Sequence, residues 1–178
     1  LHGSDKDWTP NFDSYAKRGL WFANTYASGT RTVRGLEAIT ASFPPTPTVS
    51  ILRRPGNQGL GSWGKVMNEL GYQSSFLYGG YGMFDNMNGY FDAQGYQVTD
   101  RTNFKEGLVK FENIWGVADE HLFDQALINL DQEAATGKPF FFHIMTTSNH
   151  RPFPYPDGRI DIPSPGKREG GVKYADFA

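Results

Sequence analysis

Residues Ser28-Gly29-Thr30-Arg31-Thr32-Val33-Arg34-Gly35 place three hydroxyls and two positive charges within eight positions. An apolar stretch, Leu20 to Ala27, precedes them, and Leu36-Glu37-Ala38-Ile39 follows. The first stretch reads as a strand and the second as the start of a helix. A helix N-terminus offers unpaired N–H groups and a partial positive charge. A threonine placed there either caps the helix or, beside a metal, loses its proton and attacks phosphorus or sulfur. Arg31 and Arg34 suit a negatively charged substrate; they can equally face solvent. Position alone leaves Thr30 and Thr32 open between capping and chemistry.

Two further stretches carry candidate chemistry. Thr146-Thr147-Ser148-Asn149-His150-Arg151-Pro152-Phe153 follows an apolar run, and His150 stands where a side chain can enter a cleft. As an imidazole it can bind a metal or meet a phosphate oxygen. Asp85 and Asn86, in Tyr81-Gly82-Met83-Phe84-Asp85-Asn86-Met87, either bind a polar head group or cap the next helix. His143 lies among phenylalanines and reads as a core histidine. His121 reads as solvated, and His2 is uninformative. No metal-ligand cluster is complete. Gly56 to Gly61 lacks the lysine of a P-loop and reads as a surface loop.

The elements that must position these residues alternate. Thr9-Pro10 starts a helix that Gly19 ends. The strand over 20–27 follows, then a helix from about Arg31 to Ser42, stopped by the prolines from Pro44 to Pro47. Ser62 caps a helix with an apolar stripe of Trp63, Val66, Met67 and Leu70, closed by Gly71. Ser74 to Tyr78 is a short strand, and 84–94 a helix stopped by Gly95. Asp119 caps the next helix, with Leu122, Phe123, Ala126, Leu127 and Leu130 on its buried face and Gly137 at its end. Pro139 to Thr146 suits a strand covered on both faces.

That order predicts an α/β fold, a mainly parallel sheet sandwiched by helices. Ligands of such sheets sit beyond the carboxyl ends of the strands. The loops Ser28–Arg34, Gly79–Asn86 and Thr147–Pro152 all fall there. The 178 residues suit one domain with no second. A net charge of −2 gives no reason to expect nucleic acid as a partner. Aromatics at 15% indicate a folded chain rather than a disordered one. With no cysteine, thiolate catalysis and disulfides are excluded. No apolar run approaches the roughly 20 residues that cross a bilayer. Gly170 to Ala178 reads as a helix cut short, so a fragment of a longer chain is expected.

Four stretches together resemble the sulfatase-like catalytic domain of lipoteichoic acid synthase-type phosphoglycerol transferases, in the alkaline phosphatase superfamily. They are Thr9 to Ser14, Gly29 to Glu37, Trp115 to Asp124 and Ser148 to Phe153. The resemblance covers residues 1–178 as a partial domain, incomplete at both ends. It implies an alkaline phosphatase/sulfatase-like fold. It also singles out Thr32, with Gly35 and Leu36 behind it, as the nucleophile and a metal ligand.

By that resemblance, Thr32 attacks the phosphorus of a phosphatidylglycerol-like lipid and forms a phosphoglycerol-threonine intermediate, which water or an acceptor hydroxyl resolves. A divalent metal, manganese above magnesium or zinc, lowers the threonine pKa. His150 would hydrogen-bond the phosphate, and Arg31, Asp85 and Asn86 would meet the substrate. The family's other metal ligands, a Glu before Leu1 and an Asp-His pair after Ala178, are absent, so the chain alone is expected to bind metal poorly and to turn over little. The arginine that Gram-positive members carry near Asp85 is also absent. The implied location is the extracytoplasmic face of the bacterial inner membrane, with the anchor outside this chain. Two alternatives are a sulfate- or phosphate-ester hydrolase and an inactive sulfatase-like binding domain. The missing cysteine weighs against a formylglycine sulfatase.

Overall fold

The structure is a computed structural model that describes residues 6–44 and 46–178. His2 and Pro45 lie outside the described residues. Three strands form one parallel sheet: β1 (Gln73–Tyr78) lies in the middle, with β2 (Gln97–Asp100) on one side and β3 (Phe140–Met145) on the other. Phe76 faces Val98 across one pairing and His143 across the other.

Side chains of a strand alternate between faces, and β1 uses both. Phe76 joins Val33, Leu36, Leu52, Met87 and Phe91 on one side. Leu77 joins Val117, Leu122 and Ala126 on the other. The first side is covered by α2 (Thr32–Ala41), α4 (Met87–Ala93) and the turn Ile51–Arg53, the second by α5 (Asp119–Ala134). This is the helix-sandwiched parallel sheet that the alternation of elements predicts. A third cluster joins Ala118, Tyr155 and Tyr174 of α6 (Arg168–Phe177). Helix α1 (Pro10–Ala16) is tied to α6, where the Asp176 carboxylate accepts from the Asn11 and Phe12 N–H groups. Among the described residues no helix is long and apolar enough to cross a membrane.

Several local expectations change. The strand over 20–27 does not form; Leu20 and Tyr26 are 83% and 85% exposed. A strand exists through its pairing, and among the described residues no strand lies alongside it. β2 has the polar sequence Gln-Val-Thr-Asp and no apolar alternation to announce it. Its start follows Gly95, whose φ of +82° suits the left-handed turn that ends α4. Among the described residues β3 is an edge strand, with Phe140 exposed and the rest half-buried, so its apolar run is not covered all round. The stripe on α3 (Trp63–Glu69) is exposed, with Leu70 at 67%. The helix packs instead through Gly64, where a Cβ would lie 2.1 Å from the Tyr96 ring. On α5, Leu122 and Ala126 are buried, but Leu127 is exposed and His121, expected in solvent, is buried. Asp119 is the first residue of that helix, not its cap.

One buried charge sets how α2 sits. Glu37 is fully buried, yet both its oxygens are satisfied. Oε1 accepts from Arg34 Nη1 at 2.7 Å, and Oε2 accepts from Ser50 Oγ at 2.8 Å and Ile51 N at 2.7 Å. Burial alone would raise its pKa; the Arg34 guanidinium and the Ile51 and Ser50 donors outweigh burial and hold it below the ordinary 4.5. The stabilisation is therefore complete above that pH and is lost as the pH falls through the folded-state value. Glu37→Gln is expected to lower unfolding free energy by about 2 kcal/mol near neutrality. The gap to wild type should close in acid. Denaturant titrations across pH check this, and a gap that persists unchanged at low pH contradicts it.

Candidate functional site

The carboxyl ends of β1 and β3 open onto a cleft of about 490 Å³. All three loops expected there contribute to its wall, with Thr30, Arg31 and Thr32 from the first, Phe84 and Asp85 from the second, and Thr147, Asn149 and His150 from the third, which Thr146 precedes in the same wall. Parallel pairing brings the second and third together, since β1 and β3 run the same way and end on the same side; the first reaches the cleft through the packing of α2 on the sheet.

Thr32 is the first residue of α2 and is exposed at the cleft. Arg31 occupies the N-cap position, and no side chain makes a capping bond there. The capping role open to both threonines is therefore not taken up. Thr32 presents its hydroxyl beside the positive end of a helix. Arg34, the second arginine of the opening stretch, belongs to the framework; its guanidinium serves Glu37 and the Thr48 carbonyl.

The second loop bends at Asp85 and Asn86, both left-handed with φ of +53° and +59°. This interrupts the helix expected over 84–94 and leaves a single turn before α4. The Asp85 carboxylate faces Arg31 at 3.4 Å and Arg53 at 3.5 Å. Asn86 turns away. Its Nδ2 donates to Leu52 O at 2.6 Å, its Oδ1 lies against Gly89, and it does not line the cleft. Of the two head-group candidates, the geometry leaves Asp85 at the cleft.

That loop is pinned from below by Asp100, at the end of β2. Its Oδ2 accepts from Gly82 N at 2.9 Å and Asn88 Nδ2 at 2.8 Å, and its Oδ1 from Thr102. Burial alone would raise its pKa, but these donors hold it down.

In the third loop, His150 is exposed and stacks on Trp115, ring centres 3.7 Å apart. Its Nδ1 lies 2.8 Å from Arg151 O. A carbonyl only accepts, so Nδ1 carries the proton. Nε2 then accepts when the ring is neutral and donates only when it is cationic. His143 packs edge-on against Phe76 and Phe91, and burial pushes its pKa down, as befits a core histidine.

Trp115, Tyr78 and Arg53 also belong to the site or its rim. Trp115 stands in a stretch already conspicuous in sequence; nothing local marks Arg53. Among the described residues no three His, Asp or Glu side chains gather where a metal could sit. Thr32 is the only one of the expected metal ligands described, and by itself it makes no metal centre.

Comparison with known proteins agrees with this architecture. The family model described as Sulfatase matches residues 1–162. Phosphoglycerol transferase I of Xanthomonas campestris pv. campestris (strain B100) is 24% identical over 129 residues, 68% of this chain and 18% of that protein. The same protein of strain ATCC 33913 gives the same figures. A solved structure of an alkaline phosphatase superfamily protein from Vibrio parahaemolyticus superposes with a TM-score of 0.88 at 36% identity, over 96% of this chain and 42% of that one. Lipoteichoic acid synthase LtaP from Listeria monocytogenes superposes with a TM-score of 0.81 at 19% identity, over 95% of this chain and 43% of that one. The chain thus spans 18% of the length of the curated relatives it matches. With the family model covering most of its length and the cleft formed where the fold predicts, the chain belongs to the sulfatase family and has an alkaline phosphatase superfamily fold.

Proposed function

We propose that the full-length protein transfers a phosphoglycerol-type head group from a phospholipid, through an ester on Thr32, at the extracytoplasmic face of the bacterial inner membrane. One observation carries this reading: an uncapped threonine hydroxyl at a helix N-terminus shares a cleft with Arg31 and His150. Such a site suits a phosphodiester. The helix end and Arg31 offset its charge. His150 donates to a non-bridging oxygen in its cationic form and accepts a proton in its neutral form. Asp85, balanced by two arginines, is placed to accept from a head-group hydroxyl.

In the first step Thr32 Oγ bonds to phosphorus as the bond to the diacylglycerol oxygen breaks, and the threonine proton ends on the released diacylglycerol. An acceptor hydroxyl or water then displaces Thr32 and restores it. The similarity to a protein named phosphoglycerol transferase I supports the choice of transferred group. Metal dependence belongs to the proposal for the full-length protein, with a divalent ion of the manganese type.

Thr32→Ala in the full-length protein is expected to reduce turnover of a phosphatidylglycerol donor on the order of a thousandfold or more, with an unchanged thermal transition. A steady-state assay with a fluorescent donor checks this, and retained turnover removes Thr32 from the nucleophile's role. The 178-residue chain itself is expected to show no stoichiometric manganese binding by calorimetry, given the described side chains. Tight binding at one ion per chain would contradict that.

A further inference from the structure

The stretch from Trp115 to Asp119 lies between the loops that leave β1 and β3. Its contacts with the histidine loop are dense and mostly polar. Trp115 stacks on His150, with ring planes inclined by 29°. Val117 O accepts from Thr147 Oγ1 at 2.9 Å. Asp119 Oδ1 accepts from both Thr147 N and Ser148 N at 2.9 Å, and Asp119 N donates to Ser148 Oγ at 3.0 Å. On its other side, Val117 N donates to Gly79 O at 2.8 Å. Gly116 is wedged so tightly that a Cβ would lie 2.5 Å from Gly79 O and 2.6 Å from Thr147 Oγ1.

Asp119 is fully buried, and its Oδ2 has no hydrogen-bond partner among the described residues. Burial pushes its carboxyl up, against the Ser148 and Thr147 donors that favour the ionised form. One carboxylate oxygen thus holds two successive backbone N–H groups of a single loop. The loop it holds carries His150 two residues further on. An exposed imidazole on an unconstrained loop would sample many orientations. Here the backbone is fixed on one side of it and the ring rests on an indole. Fixing a group before the ligand arrives lowers the ordering cost at binding.

We propose that Trp115–Asp119 is a template that sets the position of His150 for a phosphate-bearing ligand, with Asp119 and Trp115 as positioning residues that act through His150. This rests on the reading that His150 meets the phosphate.

Two measurements on the full-length protein test it. The first reads geometry alone. Asp119→Ala should raise amide exchange at Thr147 and Ser148 about tenfold or more and shift the His150 ring protons away from their indole-shielded positions. Asp119→Asn, which keeps an acceptor at Oδ1, should restore both. Trp115→Leu should remove the shielding while leaving a folded protein, and it serves if Asp119→Ala does not fold. Unchanged exchange and ring shifts in these variants overturn the template.

The second reads binding of sn-glycerol 1-phosphate. Asp119→Ala or Trp115→Leu should weaken it about tenfold in the wild-type background and not at all beside His150→Ala. Losses that multiply in the double variants overturn action through His150. If His150→Ala alone binds as tightly as wild type, the phosphate role of His150 has failed, and the exchange and ring-shift results decide the template by themselves.

Discussion

β1 is paired in parallel on both sides, and this pairing governs everything at the site. Parallel neighbours share a direction, so the chain leaves β1 and β3 on one edge of the sheet. The strands are short and the crossovers long, as parallel connection requires. Phe76 and Leu77, buried on opposite faces, fix the register by placing each side's core. A shift of one residue would exchange the two faces and move every loop at the edge. The cleft is a consequence of that register, and no local motif makes it.

The loops at that edge are each held by a buried carboxylate. Glu37 joins α2, which carries Thr32, to residues 50 and 51. Asp100 holds the turn that leads to Asp85. Asp119 holds residues 147 and 148 ahead of His150. In each case the carboxylate accepts from backbone N–H groups of a turn or loop, Ile51 for Glu37, Gly82 for Asp100, and Thr147 with Ser148 for Asp119. A charged acceptor forms stronger bonds than a neutral one. Framework and chemistry are therefore divided between residues. These carboxylates and Arg34 are spent on position, while Thr32, Arg31, Asp85 and His150 remain facing the cleft.

Much of this was legible in sequence where the cause is local. Gly71, Gly95 and Gly137 mark turns with positive φ, the prolines after Ser42 mark the end of α2, and the apolar period marks α5. The convergence of the loops after β1 and β3 followed from element order; the first loop converges there too, although the strand expected before it does not form. What was hidden depends on partners far along the chain. Residues 20–27 have the composition of a strand but no described neighbour to pair with, while Gln97–Asp100 looks polar and pairs with β1. Trp63 and Leu70 form a helical stripe that the described residues leave exposed. Nothing local marks Glu37, Asp100 and Asp119 as buried anchors, because donors to each lie 13 to 29 positions away. Asn86 sits beside Asp85 in sequence, yet adjacent left-handed residues send their side chains in different directions, one to the cleft and one to Leu52. The choice of Thr32 over Thr30 came from resemblance; the cleft accommodates both.

That choice is the centre of the account, and the covalent intermediate tests it most directly. The full-length protein would be mixed with phosphatidylglycerol labelled in its head group, quenched in acid within the first turnover and digested for tandem mass spectrometry. The account predicts a labelled phosphoglycerol ester on Thr32. Label on Thr30 or another residue, or donor consumed with no covalent label, would contradict it.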